Sequence, residues 1–309
     1  MSTISEHASQ AATIVQPVRV QTPFRRFLSD FFDSKVATAA IVTFAIILFI
    51  ALFAPWISPQ NPYDLMVVDV MDSRMKPGEK SLTGMTFLLG SDGAGRDMLS
   101  AIFYGLRTSL GVGVMSGLIA LCIGMSVGLS AAYFGGRTDS LIMRVVDLQL
   151  SFPAILIALI LLSVLGKGVD KIIIALVIAQ WAYYARTVRA SALVERRKEY
   201  IEAATCLALS HRRIVLRHLL PNVLPPLIVV GTLQTAHAIS LEATLSFLGV
   251  GLPQTEPSLG LLISNGFEYM LSGKYWISFF PGVALLVTIV SINLVGDQLR
   301  DVLNPRLER

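Results

Sequence analysis

Long uncharged apolar runs constrain this chain more than any other feature of its sequence. The first run, from Val36 to Ile57, contains no charged residue, and about twenty mostly apolar residues suffice for a helix to cross a bilayer. Hydrophobic residues make up 54% of the 309-residue chain and charged residues only 15%, whereas charged residues are about a quarter of a soluble domain. The sequence therefore predicts an integral membrane protein.

Six such runs predict an all-α membrane protein with six transmembrane helices. The first run exceeds the apolar core of a signal peptide and follows a long polar lead, so we expect a retained anchor. Residues 1–35 are predicted to be a partly disordered N-terminal segment with a short interfacial helix over 24–32. A six-helix domain over 36–300 and a tail over 301–309 complete the chain. The predicted spans lie near 36–57, 105–134, 141–166, 171–193, 223–247 and 276–297.

The distribution of basic residues predicts the orientation in the membrane. With the N-terminus inside, most of the 25 Lys and Arg residues fall in inside segments, as the positive-inside rule requires. Six spans then put both termini in the cytoplasm. This topology accounts for the net charge of +4. No basic stripe interleaved with aromatic residues indicates nucleic-acid binding.

Glycine pairs on the second predicted span indicate close helix packing. Gly113 and Gly117 are four residues apart, as are Gly124 and Gly128, and this spacing lets transmembrane helices approach closely. We expect this span to pack against another helix along its length. The pattern leaves open whether that helix belongs to the same chain.

A long basic segment, from Arg196 to Pro226, interrupts the apolar second half of the chain. Its pattern predicts two short helices between Tyr200 and Leu220, the second of which ends at the prolines that begin with Pro221. A basic amphipathic helix pair between two spans is suited to docking another protein. The alternative is an ordinary cytoplasmic loop that follows only the charge rule.

Sequence motifs for chemistry are lacking. No G-x-x-x-x-G-K-[ST] occurs, so ATP hydrolysis through a P-loop in this chain is not expected. The glycine-rich stretch that ends at Asp97 is interpreted as a turn, with Asp97 as the N-cap of a helix beginning near Met98. His211 and His218 lie seven residues apart among basic neighbours, which disfavours a metal site. We predict no catalytic, cofactor-binding or metal-binding residue.

Ionisable side chains inside a bilayer are costly and usually face protein or water. Arg144 and Asp147 are three residues apart and are predicted to pair with each other. His237 is either a hydrogen-bonded interior residue or a pore-facing one. Glu242 has no basic residue within a helical turn, so it either faces the pore or reaches water at the outer end of its span.

The basic segment resembles a known motif. Glu202-Ala203-Ala204, then Ala208, then Leu220-Pro221 is similar to the EAA motif of binding-protein-dependent ABC transporter permeases, in which Gly stands at the position of Ala208. Other segments resemble, in the same order, the second or "C" subunit of the dipeptide, oligopeptide and nickel branch. The resemblance covers the chain from about residue 30 to its end. These segments are LGSDGAGRDMLSAIFYGLRTSL, AAYFGG, DLQLSFPAILIAL, EATLSFLGVG and INLVGDQLRDVLNPR.

The resemblance implies a type I ABC importer permease (MetI-like) fold in a bacterial inner membrane. In this family two six-helix permeases pair with each other, and the resemblance implies a heterodimer for this chain. Two cytoplasmic subunits bind the ATP, and an external binding protein delivers the solute. The implied ATPase-coupling loop covers residues 194–222. The residues that the resemblance assigns to coupling are Glu202, Ala203, Ala204, Ala208, Arg212, Arg213, Leu220 and Pro221.

Ala208 departs from the family pattern. If Gly stands there because the backbone is left-handed, Ala at this position costs roughly 1 kcal/mol. We therefore expect either a turn that shifts toward Leu209-Ser210 or a weaker coupling.

The transported molecule is less constrained than the subunit class. Charges in the outer segment 58–90 are balanced and select no ligand. The resemblance favours di- or oligopeptides, with nickel as the main alternative, and no His-, Met- or Cys-rich path through the spans indicates a metal. An alternative from another class is a secondary transporter driven by an ion gradient. Such a transporter is expected to show repeats or several intramembrane acids, and the sequence has no internal repeat.

Overall fold

The computed structural model describes residues 22–64, 66–81 and 84–303. Helices joined by turns and short irregular segments make up this part of the chain. Most of the predicted N-terminal segment and of the predicted tail over 301–309 lies outside it. The helices are α1 (Pro23–Phe32), α2 (Lys35–Ile57), α3 (Met98–Phe134), α4 (Gly136–Leu150), α5 (Ala154–Leu165), α6 (Val169–Arg196), α7 (Glu199–Cys206), α8 (His211–Arg213), α9 (Leu220–Phe247), α10 (Leu259–Phe267) and α11 (Trp276–Leu303).

Four helices in the described part of the chain are long and apolar enough to cross a membrane. They are α2, α3, the continuous helix His211–Phe247 that contains α8 and α9, and α11. The bent pair of α4 and α5 is a fifth if it is one span. The predicted span near 171–193 lies in α6, a helix with charged residues at both ends that is not among them. The number of six spans therefore stays a prediction.

The predicted span near 141–166 falls on α4 and α5, which meet at an angle of 84°, so its crossing of the membrane stays a prediction. Ser151 ends α4, and Pro153 is the N-cap of α5. A proline has no N–H to continue the helical ladder and disfavours the α conformation of the residue before it, here Phe152. The bend follows from this one proline.

Two ion pairs attach α4 to α6. Arg189 of α6 pairs with Asp139 of α4, and Arg186 pairs with Asp147. The predicted partner of Asp147 was Arg144, on the same helix. The structure gives Asp147 a partner on the neighbouring helix instead, so the charges join two elements.

The α3 helix packs against both α6 and α9. Gly124 and Gly128 face α6, and Gly113 and Gly117 face α9, so both glycine pairs meet helices of the same chain. A Cβ atom on Gly124 would lie only 2.5 Å from the backbone oxygen of Trp181. The two backbones therefore approach too closely for a side chain at this position.

The segment between α2 and α3 folds back onto the start of α3. The Gln60 side chain accepts a hydrogen bond from the Asp97 backbone N–H at 2.7 Å. Asp97 in turn accepts the Ser100 backbone N–H at 2.8 Å, which confirms the predicted N-cap. Asp92 and Arg96 form an ion pair of 2.7 Å within the glycine-rich turn. The end of the molecule near Asp97 is called the α10 end below, because α10 also lies there; the opposite end is the α7 end.

We predict that Gly124→Ala destabilises the protein, while the matched change Gly111→Ala does not. The added methyl at Gly124 would collide with α6, whereas nothing lies within 4 Å of a Cβ on Gly111. Overpacking of this kind costs about 1–3 kcal/mol. Thermal unfolding of the purified protein in detergent measures the effect. Equal unfolding temperatures for the two variants would contradict the close approach of α3 and α6.

Candidate functional site

The residues 194–222, called the 194–222 loop, begin with a hydrogen-bonded junction between α6 and α7. Glu195 accepts hydrogen bonds from Lys198 Nζ at 2.6 Å and from the Tyr200 hydroxyl at 2.7 Å. Burial raises the pKa of Glu195, but these hydrogen bonds outweigh burial and its pKa lies below the ordinary value. Burial and the bond to Glu195 raise the pKa of Tyr200 to about 12. At neutral pH Glu195 is thus charged and Tyr200 keeps its proton, so the junction stays intact.

A left-handed residue ends α7. Ala208 has φ of 52°, its N–H donates to Thr205 O at 2.9 Å, and the Leu209 N–H donates to Ala204 O at 3.2 Å. This pair of bonds is a Schellman motif, which needs a left-handed residue between helix and loop. The predicted shift of the turn toward Leu209-Ser210 is therefore wrong. Ala208 adopts the strained conformation itself, at the position where the motif that this loop resembles has Gly.

A small apolar core holds the 194–222 loop together. Ile201 and Ala204 of α7 are buried against Ile214, and Leu209 and Tyr133 cover this cluster. Tyr133 belongs to the last turn of α3. The loop therefore has an interior of its own and is anchored on the end of a long helix.

Polar contacts also attach the 194–222 loop to the end of α3. The Tyr133 hydroxyl and His211 Nδ1 are 2.5 Å apart. Arg196 Nη1 donates to the backbone oxygen of Ala132 at 2.8 Å, and its guanidinium lies 5.9 Å from the centre of the Tyr133 ring. The end of α3, the end of α6 and the start of α8 thus form one connected unit beneath α7.

The three residues of the predicted docking core do not share one face. Glu202 and Ala203 are exposed, but Ala204 is only 4% exposed because it packs in the loop interior. Ala204 therefore packs inside the loop, and the docking role of the three residues stays a prediction. Leu207, at the tip of α7, is 74% exposed.

Arg212 and Arg213 are exposed at the start of the next helix, α8. They add positive charge to the surface of the 194–222 loop. The surface formed by Glu202, Ala203, Leu207, Arg212 and Arg213 is called the α7 face below.

The prolines do not end the second helix of the loop, contrary to the prediction that Leu220-Pro221 closes it. The chain is helical from His211 to Phe247, with a π-helical segment Ile214–Leu219 directly before α9. In a regular α-helix the ring of Pro221 would clash with the carbonyl of the residue four positions earlier. The wider π turn precedes this position, and membrane helices tolerate proline where neighbouring groups satisfy the freed backbone.

The two polar residues predicted inside the membrane, His237 and Glu242, lie on different faces of α9. His237 is exposed on the surface of this chain, which leaves its pore-facing role a prediction. Glu242 is fully buried, with its Oε2 atom 2.8 Å from Ser109 Oγ and its Oε1 atom 2.7 Å from Ser246 Oγ. It reaches neither water nor an exposed surface of the chain, in contrast to both predicted placements.

Sequence reasoning missed the residues that hold the loop in place. Tyr133, Arg196 and His211 were not assigned to the site, although Tyr133 lies in the AAYFGG segment that carries part of the resemblance. Their contacts join positions up to 78 residues apart in sequence. No spacing rule along the chain predicts such a contact.

Two family models match the chain. A model described as "Binding-protein-dependent transport system inner membrane component" matches residues 120–309. A second, described as "N-terminal TM domain of oligopeptide transport permease C", matches residues 22–77. Together they cover the membrane helices at both ends of the chain.

Similar proteins include permeases named for peptide transport. The dipeptide transport system permease protein DppC of Escherichia coli K12 is 38% identical over 289 residues, which are 93% of this chain and 95% of that protein. The di/tripeptide transport system permease protein DppC of Pseudomonas aeruginosa UCBPP-PA14 is 34% identical over 288 residues, 93% of each chain. Among solved structures, an inward-facing form of the MetNI methionine ABC transporter is similar, with a TM-score of 0.54 and 23% identity over 66% of this chain and 97% of that chain. The predicted all-α, MetI-like fold class is confirmed.

We predict that Ala208→Gly stabilises the 194–222 loop and retains transport. Gly adopts a positive φ without the steric cost that Ala bears there, so the closed loop gains about 1 kcal/mol. Hydrogen exchange of the α7 amides, followed by mass spectrometry, should slow by about fivefold. The matched change Ala203→Gly, in the middle of α7, should speed the same exchange because Gly weakens a helix interior. Faster exchange in Ala208→Gly would refute the strain assigned to this residue.

Proposed function

Since this chain belongs to the family of binding-protein-dependent transport system inner membrane components, we propose that it forms one half of the transport path of a peptide importer driven by ATP. The other half is a second, homologous permease subunit, and the two form a heterodimer. Two further subunits bind and hydrolyse ATP in the cytoplasm. A separate binding protein delivers the peptide to the α10 end.

The observation that carries this proposal is the α7 face. A leucine that is 74% exposed at the polar end of a membrane protein is suited to burial against a partner. Glu202 offers a carboxylate to a basic group, and the small Ala203 lets a partner surface approach the helix. Arg212 and Arg213 are positioned to attract acidic groups around the contact. In this family, the partner that docks at this loop is a cytoplasmic ATP-binding subunit.

The mechanism is a movement of helices rather than a reaction of this chain. Closure of the ATP-binding subunits would displace α7. Tyr133 packs against the cluster that contains Ile201 and Ala204 of α7. The contacts of Tyr133 with His211 and of Arg196 with Ala132 join the ends of α3 and α6 to the helix that continues as α9. A push on α7 would therefore move long helices as rigid bodies, which switches access from one side of the membrane to the other. ATP is bound by the partners, and this chain supplies no catalytic residue.

We assign the α7 end to the cytoplasmic side of a bacterial inner membrane. Basic residues around the 194–222 loop support this orientation through the positive-inside rule. The same orientation puts both termini in the cytoplasm and exposes the α10 end to the binding protein. A cavity of about 810 Å³ opens at the α10 end, between the segment that precedes α3 and the helix α10.

Di- and tripeptides are the proposed cargo. The two bacterial relatives described above are named as dipeptide and di/tripeptide permeases, and each aligns with 93% of this chain. A shared cargo class is the simplest expectation for relatives that match along nearly the whole length.

We predict that Glu202→Arg lowers peptide uptake about tenfold or more, because truncating or reversing a charge at an interface core costs about 2–5 kcal/mol. Asp301→Arg is the matched control, since Asp301 is exposed at the end of α11 and lies outside the α7 face. Uptake of a labelled dipeptide is measured in cells that lack the native gene and carry either variant. Equal uptake by both variants, at equal amounts of membrane-inserted protein, would remove Glu202 from the coupling contact.

We predict that loss of the gene abolishes uptake of labelled di- and tripeptides and leaves nickel uptake unchanged. The measurement needs a strain without redundant peptide transporters, and the wild-type gene should restore uptake. Unchanged peptide uptake together with reduced nickel uptake would overturn the peptide assignment while leaving the permease assignment intact.

A further inference from the structure

Glu242 is a fully buried carboxylic acid near the α10 end of α9. Among the residues that the structure describes, its hydrogen-bond partners are hydroxyl groups and not basic side chains. Ser109 Oγ donates to Oε2 at 2.8 Å and Ser246 Oγ donates to Oε1 at 2.7 Å. The Ser258 hydroxyl interacts with the same carboxyl group. A carboxyl group is costly to bury in a membrane protein, so its several matched donors indicate a specific role.

These serines belong to three different elements. Ser109 lies on α3, Ser246 on α9, and Ser258 is the N-cap of α10, where its hydroxyl accepts the Leu261 N–H at 3.2 Å. The Leu259 N–H, in the first turn of α10, also points to Ser109 Oγ at 3.4 Å. Glu242 is thus the common partner that joins the start of α10 to both long helices.

The backbones of α9 and α10 lie in close contact around Glu242. A Cβ on Gly260 of α10 would lie 2.2 Å from the backbone oxygen of Ala243, the residue next to Glu242. A Cβ on Gly251 would lie 2.5 Å from Ser246 Oγ. The start of α10 therefore sits directly on α9 at the level of the carboxyl group, and the two elements move together while these contacts last.

The α10 helix is a wall of the large cavity at the α10 end. Leu261, Ser264, Asn265 and Glu268 line this cavity of about 810 Å³. The helix that holds Glu242 continues in the other direction to His211, which contacts Tyr133 beneath α7. One helix thus links the 194–222 loop with the cavity wall.

We propose that Glu242 is a positioning residue for transport, which fixes α10 to α9 so that movement at α7 changes the shape of the cavity at the α10 end. The inference rests on the proposed function, since it assumes that ATP-binding subunits move α7. Glu242 touches no transported molecule in this account. It acts by holding α10 in register with α9 and α3.

The experiment measures the accessibility of one residue in the cavity wall, Asn265 of α10, in the assembled transporter. Asn265→Cys is introduced after Cys122 and Cys206, the two native cysteines, have been replaced by serine. The rate at which the introduced thiol reacts with a maleimide added on the α10 side is measured without nucleotide and after trapping with ATP and vanadate. The rate with Glu242 intact should change about fivefold or more on trapping, the lower range of typical allosteric coupling. ATP hydrolysis by the same preparation is the second readout.

Glu242→Leu, which removes the acceptor oxygens, should abolish the response of the introduced thiol to trapping, although ATP is still hydrolysed. Glu242→Gln, which keeps an acceptor of the same shape, should retain part of the response. If Glu242→Leu does not assemble, the double change Ser109→Ala and Ser246→Ala removes two donors with little change in volume and should give the same loss. If Glu242→Leu, or the double serine variant in its place, assembles and its introduced thiol still responds fully to trapping, the proposal is overturned.

The outcomes separate this inference from the proposed function. A complex with Glu242 intact that neither binds ATP-hydrolysing subunits nor responds to trapping would refute the proposed function. A complex with Glu242 intact that hydrolyses ATP while the introduced thiol does not respond would refute only the role of Glu242 and α10.

Discussion

The close approach of α3 to α6 and α9 is the constraint on which the rest of the structure depends. Gly124 and Gly128 let α3 lie against α6, and Gly113 and Gly117 let it lie against α9. Without a hydrophobic driving force between helices inside a bilayer, such packing is a main source of association. Because α3 is held on two sides, its ends are fixed in position. One end carries Tyr133 beneath the 194–222 loop, and the other half of the helix carries Ser109 beside Glu242.

The two ends of the molecule are therefore connected through shared helices. At the α7 end, Tyr133 and Arg196 attach the loop to α3 and α6, and His211 begins the helix that becomes α9. At the α10 end, Glu242 attaches the same helix to α3 and α10. An importer needs a force applied on one side of the membrane to change access on the other, and packed interfaces transmit such shifts as discrete movements. The arrangement of α3 and α9 supplies a physical route for that movement.

Periodicity and composition predicted the four long apolar helices of the described part of the chain, because local apolar runs decide them, and the N-cap at Asp97 followed from residue type alone. Non-local or context-dependent features were not predictable in this way. The prolines after Leu219 predict a helix end by a rule from soluble helices, yet the helix continues through a π-helical segment. The motif groups Ala204 with Ala203, but contacts with Ile201 and Ile214 turn Ala204 inward. Likewise, the partners of Glu242 lie as far as 133 residues away in sequence.

The most direct test of the account is the accessibility of Cys206, a native cysteine exposed on α7. Its reaction with a membrane-permeable maleimide is compared in the pair of permease subunits alone and in the pair with the ATP-binding subunits added. Cys122, exposed on α3, is the internal reference. We expect the added subunits to slow the labelling of Cys206 strongly and to leave the labelling of Cys122 unchanged. Equal labelling of Cys206 in both preparations would contradict the docking of an ATP-binding subunit on α7.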